Sequence, residues 1–235
     1  ELIQQTDAKL TALAAGQGVS AGAVSLQDSA GALFKELERR IEHRGQLLGI
    51  TSGYQNIDLM THGWQRRKMI VIAGRTHFGK SILALECAKA AATAGHRVVY
   101  FSLEMERQEL EFRLLSSLTP QFTEDGCGIP LSMINWGNIR NHAAVTQAWE
   151  LMATLPIEIN DTPARSVMDI RAECRQIKAD RGLGMVVIDH LQLMDGATGE
   201  NRTQELTDIS RRLKIMAGEL DVPVLALSQL SRGDK

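Results

Sequence analysis

Apolar positions along this chain fall into two alternating kinds of run. Short continuous stretches occupy residues 69–73, 97–102, 157–160, 185–189 and 224–228 and read as strands. Longer stretches repeat with a helical period over 80–94, 106–118, 166–181 and 202–220. In the third of these helices Val167, Ile170, Cys174 and Ile177 share one face, and Ser166 with Asp169 is placed to cap its start. In the fourth, Leu206, Ile209, Leu213, Met216 and Leu220 share a face. Strand residues such as Val186-Val187-Ile188 form unbroken β-branched runs, so both faces of the strands are expected to be buried. Strand–helix alternation of this kind predicts an α/β fold, a mostly parallel sheet flanked by helices.

The N-terminal part follows a different pattern. Leu2, Leu10 and Leu13 predict a short helix over residues 1–15, and Gly16-Gln17-Gly18 and Ser20-Ala21-Gly22 then break it. Ser25 followed by Asp28 reads as a helix start. Beyond it Leu33, Leu37 and Ile41 recur every four residues beside Phe34, opposite Lys35, Glu36, Glu38, Arg39 and Arg40. This amphipathic face can pack on its own domain or on another subunit. The breaks before it, and Gly45 and Gly49 after it, favour the second. Residues 119–155 carry Pro120, Gly126, Gly128, Pro130 and Gly137, and they show a helical pattern only around Ala143–Leu155.

Composition narrows the classes of function. A formal net charge of -2 argues against a monomer that grips nucleic acid across a wide basic face, but leaves room for a small basic patch lining a groove or pore. No apolar run is long enough to span a membrane. The opening Glu1-Leu2-Ile3-Gln4 lacks a secretion signal and a starting methionine, so the chain is expected to be cut from something longer. Cys87, Cys127 and Cys174 show no metal-ligand spacing and are expected to be reduced, structural thiols of a cytosolic protein.

The chemistry is concentrated in Gly74-Arg75-Thr76-His77-Phe78-Gly79-Lys80-Ser81, which fits the phosphate-binding pattern G-x-x-x-x-G-K-[ST] at every fixed position. A strand leads in and a helix leads out, so backbone N–H groups and the positive helix end converge on an anion. Lys80 can reach the terminal phosphates of a nucleoside triphosphate, and the Ser81 hydroxyl can ligate Mg2+. Met185-Val186-Val187-Ile188-Asp189 has the form of a Walker B strand, with Asp189 holding the metal through water. Glu104 follows the strand 97–102 and can orient an attacking water, or simply favour the dipole of the 106–118 helix. Glu106 is the expected dipole residue. Gln229 follows the last strand and can sense a terminal phosphate, or be an ordinary loop amide. His77 and His190 are expected to be positional, and Arg211, Arg212 and Lys214 to form a solvated helix face.

Taken together, five stretches resemble the C-terminal ATPase domain of DnaB-type replicative DNA helicases. They are Gly49-Ile50-Thr51-Ser52-Gly53-Tyr54, the loop at 74–81, Phe101-Ser102-Leu103-Glu104-Met105, Ile188-Asp189-His190-Leu191-Gln192-Leu193-Met194, and Leu227-Ser228-Gln229-Leu230. The resemblance covers residues from about 26 to 235. It implies a RecA-like P-loop NTPase fold preceded by a linker helix, a homo-hexameric ring, and ATP-driven translocation on single-stranded DNA at a replication fork. It assigns the Walker lysine to Lys80, the Mg2+ ligands to Ser81 and Asp189, the catalytic carboxylate to Glu104 and the phosphate sensor to Gln229. Residues 1–24 are then a remnant of an N-terminal domain or linker. Residues 25–48 are the linker helix region, whose helix at 26–44 packs on the adjacent subunit. Residues 49–235 are the ATPase domain, truncated at its C-terminus. Primase and a helicase loader are implied partners, in the cytoplasm of a bacterium or of a phage's bacterial host.

The chain departs from that family at Thr76 and His77, where Pro and Ser are usual, and at His190, where Tyr is usual. The family's DNA-contacting loop and arginine finger lie beyond the strand that ends at Ser228. The chain is therefore expected to bind ATP and to hydrolyse it poorly by itself. Two other functions fit the same residues: strand exchange or another RecA-class DNA-dependent ATPase activity, and a non-catalytic docking module for loader or primase. The intact set of Lys80, Glu104 and Asp189 argues against the docking module.

Overall fold

The computed structural model describes residues 25–42, 45–196 and 202–230. They fall in two compact units, divided between Gln46 and Leu47. The helix expected over 1–15 lies outside the described residues. The first unit carries helix α1 (Leu26–Glu42), which begins directly after Ser25. Its apolar side chains Leu33, Phe34, Leu37 and Ile41 are all exposed. On its polar side Glu36 pairs with Arg39 and Arg40 at 2.9 and 2.8 Å. Hydrogen bonds from these two arginines pull the Glu36 carboxyl down to about 2.

The second unit opens with a short bridge between Ile50 and Trp64 and the seven-residue helix α2 (Gln55–Thr61). The strands and helices then alternate. They are β1 (Met69–Gly74), α3 (Lys80–Thr93), β2 (Val98–Ser102), α4 (Arg107–Leu118), the short α5 (Leu131–Asn135), α6 (His142–Thr154), β3 (Ile157–Asn160), α7 (Val167–Arg181), β4 (Met185–Asp189), α8 (Arg202–Leu220) and β5 (Val224–Gln229). The five strands form one wholly parallel sheet in the order β1-β5-β4-β2-β3.

Side chains alternate across a strand, and that alternation divides the core in two. Val98, Tyr100, Met185, Val187, Leu225 and Leu227 pack with α3, α4 and α6 on one face. Val99, Phe101, Val186, Ile188, Val224 and Ala226 pack with α7 and α8 on the other. The buried side of α3 is mostly small, with Ala84, Ala88, Ala91 and Ala92, so the helix can lie close to the sheet. The capping box on α7 is formed from both sides, Ser166 accepting from the Asp169 N–H and Asp169 from the Ser166 N–H.

Burial on both faces holds for β2 and β4, every residue of which is buried. It does not hold for the two outer strands. Val71 of β1 is 51% exposed, and β3 is only half-buried throughout. An outer strand has a neighbouring strand on one side only. Glu106 stands at the start of α4. It occupies the N-cap position of α4 but makes no capping hydrogen bond, and Asp161 from the end of β3 accepts from the Arg107 N–H at 2.9 Å instead.

Candidate active site

In a parallel sheet all carboxyl ends lie along one edge, and here the register lines up the site along it. Gly74 of β1 pairs with Gln229 of β5, and Asp189 of β4 pairs with Ser102 of β2. Four neighbouring strands therefore end in the phosphate loop, Gln229, Asp189 and the segment that carries Glu104.

The phosphate loop leaves β1 at Gly74 and enters α3 at Lys80. Gly79, the N-cap of α3, has φ +77, a left-handed conformation that glycine adopts without a Cβ penalty. His77 also has positive φ, at +63. Arg75, Thr76, His77 and Phe78 are exposed, and Lys80 and Ser81 are half-buried. The Lys80 ammonium donates to Arg75 O at 2.9 Å, so it folds back over the loop it belongs to.

Asp189 is 1% exposed. Its Oδ2 accepts from Tyr100 Oη at 3.0 Å, while its Oδ1 is buried without a hydrogen-bond partner. Burial pushes the Asp189 carboxyl above its ordinary value. The Ser81 hydroxyl, near enough to act on the charge, and the Tyr100 hydroxyl oppose that shift. An ionised carboxylate buried with a free oxygen is costly, and a cation is the usual partner for one. The Tyr100 hydroxyl is itself pushed well above its ordinary value by burial and by the carboxylate beside it.

Glu104 lies beyond the end of β2, tied to β4 through the Leu103 N–H, which donates to Asp189 O at 2.7 Å. Its Oε2 approaches His190 Nδ1 at 3.1 Å, and the same Nδ1 lies 3.8 Å from Asp189 Oδ1. The ligand atoms of Glu104, Asp189 and His190 all fall within 4.8 Å of one another. Gln229 has its backbone fixed beside Gly74, since the next N–H, Leu230, donates to Gly74 O at 3.1 Å.

The structure thus brings Ser81, Glu104 and Asp189 together and sets the Gln229 backbone against the start of the loop. Two residues of this site, Tyr100 and Gln192, are given no role by sequence reasoning. Tyr100 carries a signal: a phenol in a strand buried on both faces must find a polar partner on a neighbouring strand. His190, expected to be positional, faces both acids. Gln192 appears in the family-like string but without a role; it is buried and bonds to Ser228 and Gln229. Further out, Asp58 accepts from Thr51 Oγ1 at 2.6 Å and from the Ser52 N–H at 2.8 Å and so closes the Gly49–Tyr54 loop. Gly49 is needed there because a Cβ would stand 2.6 Å from Trp64 O.

Comparison with known proteins adds to this geometry. The family model described as "DnaB-like helicase C terminal domain" matches residues 49–235. The replicative DNA helicase DnaB of Geobacillus stearothermophilus is 42% identical over 205 residues, 85% of this chain and 43% of that protein. The DnaB of Leifsonia xyli is 37% identical over 237 residues, 99% of this chain and 50% of that protein. The chain therefore spans half or less of the length of these relatives. Among solved structures, one described as an ATPase domain superposes with a TM-score of 0.79 at 33% identity, covering 91% of this chain and 73% of that one. A second, described as "The Structure Of A DnaB-Like Replicative Helicase And Its Interactions With Primase", gives 0.77 at 31% identity, covering 99% and 54%.

Proposed function

The chain belongs to the family of DnaB-like helicase C-terminal domains, and from that premise we propose that it is an ATP-driven motor of a replicative helicase, moving along single-stranded DNA. The observation that carries this reading is the gathering of Ser81, Asp189 and Glu104 at the carboxyl edge of the sheet, at the start of the helix that follows the phosphate loop.

The residues present fit Mg2+ and ATP. A left-handed glycine opens the helix after the loop, an ammonium lies over the loop, and a buried carboxylate keeps one oxygen unpaired beside a serine hydroxyl. Bound Mg·ATP would supply the phosphoanhydride bond to be cleaved and the cation that neutralises its charge. Backbone N–H groups from Gly74 to Ser81, with Lys80, bind the phosphates. Ser81 and Asp189 would hold the cation. Glu104 accepts the proton of the attacking water. Gln229 senses the terminal phosphate.

Residues 49–235 are the ATPase domain in this reading, and residues 25–48 the linker region. The exposed apolar face of α1 docks on a neighbouring copy and closes a homo-hexameric ring. Primase and a loader are further partners, primase on the strength of the relative whose description names it. The cytoplasm of a bacterium, or of a phage's bacterial host, is the expected setting. Among the described residues no helix is long and apolar enough to cross a membrane.

The experiment is Glu104→Gln with ATP and single-stranded DNA. Binding of ATP should be unchanged, and kcat should fall by about 10²–10⁴-fold. Turnover at the parent rate would remove Glu104 from this role. A parent chain that does not bind ATP would overturn the motor reading itself.

A further inference from the structure

The motor reading leaves His190 without a task, yet His190 lies against both of its acids. The imidazole is 6% exposed, and its Nδ1 is buried with no hydrogen-bond partner. Buried polar atoms in folded proteins are nearly always paired, so an unpaired one needs a reason. This nitrogen faces two groups, Glu104 Oε2 at 3.1 Å and Asp189 Oδ1 at 3.8 Å. The first distance is that of a hydrogen bond, and only the alignment is missing.

The two sides of this contact differ in freedom. His190 is enclosed, with Asp189 before it and the buried Leu191 after it. The Glu104 side chain is 52% exposed and hangs from the segment beyond β2. The exposed carboxylate is free to turn toward the enclosed imidazole; the reverse motion would have to repack the core. A glutamate left to itself spreads over many rotamers, and a reaction that needs it in one place loses rate to that spread.

We propose that His190 is a positioning residue for Glu104: its Nδ1–H donates to the Glu104 carboxylate and holds it beside Asp189, where the attacking water is to be met. This rests on the reading of Glu104 as the group that handles water. Holding Glu104 should raise kcat and leave nucleotide affinity untouched, because the imidazole faces the two acids rather than the phosphate-binding groups of the loop.

The test uses the whole chain and the variants His190→Phe, His190→Asn, Glu104→Gln and Glu104→Ala. Phenylalanine keeps a ring but has no donor. Asparagine can place an N–H near the position of Nδ1. His190→Phe should lower kcat by about tenfold, the size of one lost hydrogen bond, with KM, the affinity for a non-hydrolysable ATP analogue and the melting temperature unchanged. His190→Asn should recover most of the loss. In nucleotide-free protein labelled with 15N-histidine, the His190 Nδ1 resonance, identified by its absence from His190→Phe, should move in Glu104→Ala. An unaltered kcat in His190→Phe, while Glu104→Gln is inactive, overturns the inference and spares the reading of Glu104. Parent-level turnover in Glu104→Gln removes that reading, and this inference with it. If His190→Phe does not fold, an Nδ1 resonance indifferent to Glu104→Ala, or a tenfold loss in a folded His190→Asn, still sinks the proposal.

Discussion

Gln192 holds the backbone of Gln229 by both of its hydrogen-bonding groups: its Nε2 donates to Gln229 O at 3.0 Å, and its Oε1 accepts from the Gln229 N–H at 3.1 Å. Its Nε2 also donates to Ser228 Oγ at 3.0 Å. Gln192 stands in the turn after Asp189, and Gln229 ends the strand that pairs with Gly74. One side chain therefore ties the Walker B strand to the last strand at the point where that strand meets the phosphate loop. Gln192→Ala leaves two backbone groups half-buried and unpaired, and the expected loss of stability is about 1–3 kcal/mol by urea denaturation. Gln192→Glu should cost more, because a carboxylate cannot donate to the Gln229 carbonyl and would be set against it. Equal stability of all three proteins would show the clamp to be dispensable.

The buried Asp189 makes stability depend on pH in a stated direction. Burial raises its carboxyl above the ordinary value, and nearby Glu104 adds to this, against the Ser81 and Tyr100 hydroxyls and His190. The folded protein thus holds this proton more tightly than the unfolded chain does. The associated stability is present below the ordinary aspartate pKa and is lost as pH rises through the folded value. Asp189→Asn should therefore melt higher than the parent at neutral pH in magnesium-free buffer, and the gap should close on acidification. Tyr100→Phe removes a donor to the charged form and should deepen the parent's loss. A melting temperature for Asp189→Asn that tracks the parent at every pH would contradict this account.

Much of the scaffold is legible in the amino-acid order, and the reason is burial. Strands β3 and β4 have the expected limits, and β1, β2 and β5 differ by one residue at one end. Their continuous apolar runs are what a sheet covered on both faces demands. The Ser166–Asp169 cap is equally local and equally legible. Helices α2 and α5 are not, because seven and five residues are too few to establish a period. Within the site, the phosphate loop and Asp189 announce themselves by pattern. The contacts that condition them do not: Tyr100 and Asp189 are 89 residues apart, and Gln192 and Gln229 are 37 apart. Such pairs are set by strand order, and a β1-β5-β4-β2-β3 order is not written in any one segment. The contact of His190 is hidden in the sequence for a related reason. Its partner Glu104 has no metal-ligand spacing from it in sequence and meets it only because β2 and β4 are neighbours.

Lys80 makes its one described hydrogen bond to an exposed loop carbonyl, Arg75 O, at 2.9 Å. That contact is readily exchanged for solvent, so the lysine is free to turn to a phosphate. Lys80→Ala should therefore leave the melting temperature of the nucleotide-free protein unchanged. It should weaken binding of a fluorescent ATP analogue by about ten- to a hundredfold, the loss of one charge-assisted hydrogen bond. Added salt should weaken the parent's binding more than the variant's, since only the parent keeps the ammonium. An affinity equal to the parent's would place the phosphates elsewhere.

Helix α1 presents Leu33, Phe34, Leu37 and Ile41 to solvent, each more than half exposed. Four large apolar side chains at helical spacing form a stripe rather than the scattered apolar residues normal on a surface. The opposite side is held by the Glu36 pairs with Arg39 and Arg40, which are open to water and add little to stability. The stripe is thus the part of α1 with most to gain from a partner, and the ring reading supplies one in the next copy of the chain. Leu37→Asp with Ile41→Asp should leave the melting of residues 47–235 unchanged, because both side chains are exposed. It should also shift the mass measured by light scattering, with ATP present, from the assembled species to the monomer. If the doubly charged variant assembles as the parent does, the α1 stripe is not what joins the subunits.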